Sequence, residues 1–266
     1  MFQERFRLFW TQIGGVDGQE IWANQIRTAY SEPHRHYHTN LEELLAFTDQ
    51  LSACFVDQLR VLGAIFFHDI IYSTRDAYPD NERMSALRWL EFAKQVVGDR
   101  AQQRFSAADV AMVYQMILDT KTHKLTTSRT LSLPPSFGQT PVVLTDPQWA
   151  AYQADGALFL DMDMAILGSS PERYAAYVGQ IEAEFGHMTR EAFNRGRAEA
   201  LRQWRQYDEG SATPGLIPPF FQESPQGPRE RRLFLSDRFF ATHEAPAHRN
   251  IARELETRDR AVTPQP

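Results

Sequence analysis

An all-α helical bundle is the fold class that the sequence predicts, and three observations predict it. Apolar residues recur at helical spacing over long stretches, no stretch shows the sustained period-two alternation of a half-buried strand, and serine, threonine and proline stand where helices would start. The 266 residues, 42% of them hydrophobic, can bury a sizeable core, and a single domain over residues 1–266 is expected.

Met1 to Trp10 carries Glu4 and two arginines among aromatic residues, with no apolar stretch long enough for a signal peptide or a membrane span. Leu41, Leu44, Leu45, Thr48 and Leu51 give the first helical pattern, and Leu87, Leu90, Phe92, Val96 and Val97 give another. Further helices are expected at Ala107 to Asp119, Pro147 to Leu167, Pro171 to Phe185 and Arg190 to Tyr207. Ser170-Pro171 offers a helix start with Glu172 in the first turn, and Thr189 offers another before Arg190. Tyr174, Tyr177, Ile181 and Phe185 recur as a stripe that suits core packing.

Two stretches break the pattern. Leu125 to Pro147 holds Pro134, Pro135, Gly138 and Pro141, and Gly210 to Pro228 holds Pro214, Pro218, Pro219 and Pro225. Both read as proline-rich insertions, near 125–147 and 210–228, of the kind that serve as lids, linkers or passive surface excursions. Helical character resumes from Arg229 to Arg260, and Val262 to Pro266 should fray.

A net charge of −6 and a pI near 5.8 leave no electrostatic footprint for a nucleic acid polymer. Cys54 is the sole cysteine, which excludes an intrachain disulfide and a thiolate-rich zinc site and suits a reducing compartment. The expectation is a soluble, cytoplasmic protein with no membrane partner.

Chemistry is concentrated at His68-Asp69, set in the apolar run Val61 to Tyr72. A carboxylate there needs a cation or several hydrogen-bond donors, and a divalent metal would accept both side chains as ligands. The alternative is a histidine satisfied by its neighbour's carboxylate at a helix end. Upstream, Ser31-Glu32-Pro33-His34-Arg35-His36-Tyr37-His38 packs three histidines into five positions. His38 precedes His68 by 30 positions, enough for a helix, a turn and part of an antiparallel helix, so both could meet in one bundle core. Downstream, Asp161 and Asp163 interrupt the apolar run Leu158 to Gly168. On a helix they point about 200° apart, so at most one faces a given site and the other must cap, pair or face water.

Arg35-His36-Tyr37-His38, Phe67-His68-Asp69-Ile70-Ile71-Tyr72, Asp80-Asn81-Glu82, Thr120-Lys121-Thr122-His123 and Leu160-Asp161-Met162-Asp163-Met164-Ala165-Ile166-Leu167-Gly168 together resemble the signature blocks of a bacterial group of predicted metal-dependent phosphohydrolases in the HD superfamily. Arg195-Gly196-Arg197 and the tail Arg232 to Leu255 resemble its C-terminal part. The likeness runs from about Trp10 to Leu255. It implies an HD-domain helical bundle with a metal site in the bundle core, whose ligands would be His38, His68, Asp69 and Asp163. Asp163 is preferred to Asp161 because the family's final aspartate opens a short apolar stretch such as Met164 to Leu167. Two departures stand out: Glu42 replaces a histidine that members often carry one turn after the first ligand, and the segment between His123 and Asp161 is long.

The resemblance implies hydrolysis of a phosphomonoester or phosphoanhydride in a small phosphorylated molecule, nucleotides included, by water activated on Mn, Mg, Fe, Co or Zn. Asp69 or Glu82 would accept the water's proton, although Asp80-Asn81-Glu82 equally suits a helix N-cap with an acidic first turn. His123 would protonate the leaving oxygen or bind phosphate, or simply sit at a helix C-terminus where the dipole favours a cation. Arg35, Lys121, Lys124, Arg195 and Arg197 are the positive partners considered for phosphate. The last two lie in a helix rich in both charges, where a solvated face or ion pairs compete. Two other readings stay open: a di-iron oxygenase drawing further ligands from His123 and Glu82, and a catalytically silent metal- or nucleotide-binding module.

Overall fold

In a computed structural model, residues 2–31, 37–74, 80–96, 105–137, 141–205 and 232–262 are described, the side chains of residues 37–39, 203, 205, 261 and 262 excepted. The chain is mostly helical, as the spacing of apolar residues predicts, with ten α-helices among the described residues. It divides into two compact units, Met1–Asp163 and Met164–Pro266, and each is treated by itself.

The first unit contains α1 (Phe2–Gln12), α2 (Gln19–Tyr30), α3 (Tyr37–Gln50), α4 (Gln58–Phe67), α5 (Asn81–Val96), α6 (Ala107–Asp119) and α7 (Asp146–Met164, whose last residue opens the second unit). The first two precede every helix expected from the sequence. Phe2, Phe6, Phe9 and Trp10 form the buried stripe of α1, and their rings pack with Phe66 and Phe92. Every residue of α4 from Leu59 to Phe67 is buried, so this helix runs through the core. Asp57 caps its start by accepting a bond from the Leu59 amide at 3.0 Å. Phe67 then meets Trp22, Trp89 and Phe92, which locks the last turn of α4 into an aromatic cluster just ahead of His68.

A buried ion network joins three of these helices. Arg60 on α4 reaches Asp109 on α6 at 3.0 Å and Asp155 on α7 at 2.9 Å, and Asp155 also accepts the Val56 amide at 2.7 Å and the Asp57 amide at 3.1 Å. Asp109 closes a capping box with Ser106 at the start of α6.

The insertion near 125–147 is not wholly irregular. Thr130–Leu131 (β1) pairs antiparallel with Val142–Val143 (β2), Thr130 opposite Val143, with a 3-10 turn at Pro135–Phe137 between them. Two-residue strands are too short to register as period-two alternation, which is why an all-helical reading passes over them. Residues 138–140 of this insertion lie outside the described residues, as does the whole insertion near 210–228.

At the end of α6, the buried Asp119 carboxyl takes bonds from Tyr152 on α7, from Gln115 at 2.8 Å and from the Thr126 amide at 3.3 Å. Burial raises its pKa to about 7 against the partial relief of those bonds. A folded pKa above the unfolded one means that the folded chain binds an extra proton between about pH 4 and pH 7, so stability falls as pH rises through that window. Asp119→Asn should remove this slope. Urea unfolding at pH 5.5 and 8.5 is expected to show the wild type losing on the order of 2 kcal/mol more than the variant; parallel slopes would reject the assignment.

In the second unit, a 3-10 turn at Ala165–Gly168 leads into α8 (Pro171–Glu184), α9 (Arg190–Arg205) and α10 (Asp237–Val262). Ser170 caps α8 through the Arg173 amide at 3.2 Å with Pro171 in the first turn, and Thr189 accepts the Ala192 amide at 3.2 Å at the start of α9, as their sequence positions predict. Tyr174, Tyr177 and Ile181 are buried, and the Phe185 ring lies tilted against Phe193 at 5.8 Å between centroids. The hub of the unit is Glu254 on α10, which accepts bonds from Tyr174 at 2.6 Å, Arg258 at 2.7 Å and Arg197 at 3.1 and 3.2 Å. No described helix is long and apolar enough to cross a membrane.

Candidate metal centre

His68 follows directly on the last residue of α4 and keeps helical backbone angles, while its amide closes the final helical bond to the Ala64 carbonyl at 2.8 Å. Its ring is buried, edge-on to Phe159 of α7. The Ile65 carbonyl lies 3.0 Å from Nδ1, a contact that is favourable only if that nitrogen carries the proton. In the neutral ring the lone pair then falls on Nε2, a buried atom with no hydrogen-bond partner.

Two carboxylates face that nitrogen. Asp69 Oδ2 lies 3.5 Å from it and Asp163 Oδ1 lies 3.6 Å from it. A charge-assisted N–H···O bond would be about 2.7–2.9 Å long, so neither spacing is that of a histidinium clasped by its neighbours. Two ligands on one ion at about 2.0–2.2 Å each sit roughly 3–3.5 Å apart, close to the spacings observed. Imidazole nitrogen and carboxylate oxygen are both ordinary ligand types for a divalent cation, and a backbone carbonyl at Nδ1 is a usual second partner of a ligating histidine.

Asp163 stands in the final turn of α7. Its Oδ2 is 3.1 Å from His123 Nε2, and the Asn40 amide of α3 donates to Oδ1 at 3.3 Å. Burial alone would raise its pKa, but the hydrogen bonds from His123 and from the Asn40 side-chain amide oppose it, leaving the carboxyl below its ordinary value and ionised. Asp161 is buried, two residues back on the same helix. His123 lies beyond α6 in a left-handed backbone conformation, φ 49°, uncommon for a residue other than glycine. The bonds of Asp119 to Thr126 and Tyr152 bracket the turn that carries it.

The remaining sequence-predicted residues divide as follows. His38 belongs to the first turn of α3 with its side chain outside the described residues, and Arg35 lies outside them altogether. Among the described residues, no group of three or more His, Cys, Asp or Glu side chains is arranged so that it could hold a metal ion as it stands. Glu82 occupies the first turn of α5, where Asp80 accepts the Arg83 amide at 3.2 Å and Asn81 brackets Ser73 through two bonds of 3.1 Å. The capping alternative thus describes Asp80. Lys121, half exposed, pairs with Asp80 at 3.1 Å. Arg197 is taken up in the second unit by the two-pronged bond to Glu254, a structural ion pair rather than an open phosphate contact.

Sequence reasoning missed Tyr30 and Asn40. The Tyr30 hydroxyl, at the end of α2, lies 3.1 Å from the Ile65 carbonyl, 3.3 Å from His68 Nδ1 and 3.3 Å from the Asp69 amide. Neither residue carries a pattern of its own; only the packing of α2 and α3 beside the α4 terminus brings them in. Searches against family models, curated proteins and solved structures give no match to the chain.

Proposed function

We propose that this protein is a metal-dependent phosphohydrolase that cleaves a phosphomonoester or phosphoanhydride in a small molecule such as a nucleotide. The observation that carries the reading is the buried Nε2 of His68, without a hydrogen-bond partner and facing the Asp69 and Asp163 carboxylates. A cation between them would join this nitrogen to both carboxylates, beside the bonds that Asp163 already takes from His123 and Asn40.

His68, Asp69 and Asp163, with His38 from the first turn of α3, would hold the ion. A divalent ion there supplies Lewis acidity toward phosphoryl oxygen and lowers the pKa of water to the physiological range. The chain's own groups then have distinct tasks. Ile65 and Tyr30 keep the His68 proton on Nδ1, so that Nε2 stays a donor of electrons. Asp69 or Glu82 accepts the proton of the attacking water, and His123 Nε2, whose proton points to Asp163, delivers one to the leaving oxygen. Arg35 and Lys121 are the positive groups that the reading assigns to phosphate, with Lys121 first released from Asp80.

The test is phosphate release from a panel of nucleotides and small phosphoesters with Mn, Mg, Fe, Co and Zn supplied in turn. Release from at least one substrate class, dependent on metal and lost in His68→Ala, is the expected result. Absence of release with every metal across the panel would overturn the reading.

A further inference from the structure

Adjacent residues on a helix project about 100° apart, and the His68 and Asp69 side chains meet at 3.5 Å just where the regular ladder of α4 ends. The end is visible in the backbone bonds. His68 completes the regular ladder, whereas the Asp69 amide, whose partner in a continued helix would be the Ile65 carbonyl, meets the Tyr30 hydroxyl at 3.3 Å. The same hydroxyl lies 3.1 Å from that Ile65 carbonyl. It therefore sits between the donor and the acceptor of the next helical bond, accepting from one and donating to the other. The following amide, Ile70, folds back to the Phe67 carbonyl at 3.3 Å in a 3-10 step.

Burial makes this insertion stiff. Tyr30 is 1% exposed, and the Ile65 carbonyl that takes its proton also takes the Nδ1–H of His68. Side chains or water inserted in the ladder are a recognised cause of helix breaks.

We propose that Tyr30 is a positioning residue: its hydroxyl splits the Ile65–Asp69 helical bond, ends α4 and fixes the backbone amide of Asp69, whose carboxylate faces Nε2 of His68. The functional half of this inference rests on the metal-centre reading above; the helix break itself does not.

Tyr30→Phe keeps the ring and removes the wedge. In the full chain without metal, Cα chemical shifts of Asp69 and Ile70 should move in the helical direction as the Asp69 amide re-forms its bond to Ile65. Titration with Mn²⁺ alone should then show affinity about 10–100-fold weaker than in the wild type. Unchanged shifts at both residues overturn the inference, and so do helical shifts with unchanged Mn²⁺ affinity, which would mark a break that positions nothing. If the wild type binds no Mn²⁺, the metal-centre reading and the positioning role fall together, while the shifts still decide whether Tyr30 ends the helix. Should the variant not fold, 3-fluorotyrosine at position 30 retains the hydroxyl and alters its bonding; displacement of the Asp69 amide resonance supports the wedge, and an unmoved resonance rejects it.

Discussion

Arg60→Ala is expected to destabilise the protein by about 3–5 kcal/mol, the cost of leaving a buried carboxylate without its cation. Asp155 is fully buried and burial already pushes its pKa up, against the Val56 and Asp57 amides and Arg60. Without the guanidinium, those amides alone must hold the charge, and Asp109 loses its cross-helix partner. Because Arg60, Asp109 and Asp155 come from α4, α6 and α7, the loss loosens the helices that deliver His68, the turn of His123 and Asp163. Urea unfolding of the full chain measures the effect. Arg60→Met combined with Asp155→Asn should recover part of the loss, since a neutral pair no longer demands compensation. A loss below about 1 kcal/mol for Arg60→Ala would show that the network is dispensable.

Asp69→Ala is expected to abolish metal binding and phosphate release together while leaving the far-ultraviolet circular dichroism unchanged. The residue lies beyond the last turn of α4, and its side chain, 17% exposed, faces Nε2 of His68. Removing it takes away one of the carboxylates facing that lone pair, so affinity for a divalent ion should fall at least about 100-fold. A variant that retained stoichiometric metal would place the ion elsewhere. His123→Gln offers a contrast, because its contact is to Asp163 and its assigned task is proton delivery: turnover should drop with metal content retained.

Local patterns were the legible part of the fold. The stripe from Leu41 to Leu51, the run through Val61 to Phe67, and the Ser170-Pro171 and Thr189 starts each depend on residues within a few positions of one another, and each lies in or opens a helix. The first two helices were less legible. Phe2, Phe6, Phe9 and Trp10 do recur at helical spacing, but the stripe is short and charged residues interrupt it. The hairpin of Thr130–Leu131 with Val142–Val143 has too few residues to carry a period.

At the candidate site, the reach of sequence reasoning was set by chemistry rather than distance. An acidic or imidazole group in an apolar run is anomalous wherever its partners lie, so His68, Asp69 and the pair Asp161 and Asp163 stand out from the sequence alone, whereas the choice of Asp163 within that pair rests on the family resemblance. Arg60, Tyr30 and Asn40 do not. Arginine, tyrosine and asparagine are unremarked at helix positions, and their partners lie 95, 38 and 123 residues away. Arg197 shows the converse: an arginine beside a signature-like block that packing commits to Glu254.

If a divalent ion joins His68, Asp69 and Asp163, calorimetric titration of the metal-stripped full chain with Mn²⁺ should give saturable, stoichiometric binding in the wild type and none in His68→Ala. No binding in the wild type, or equal binding in both, would mean that these residues hold no such ion.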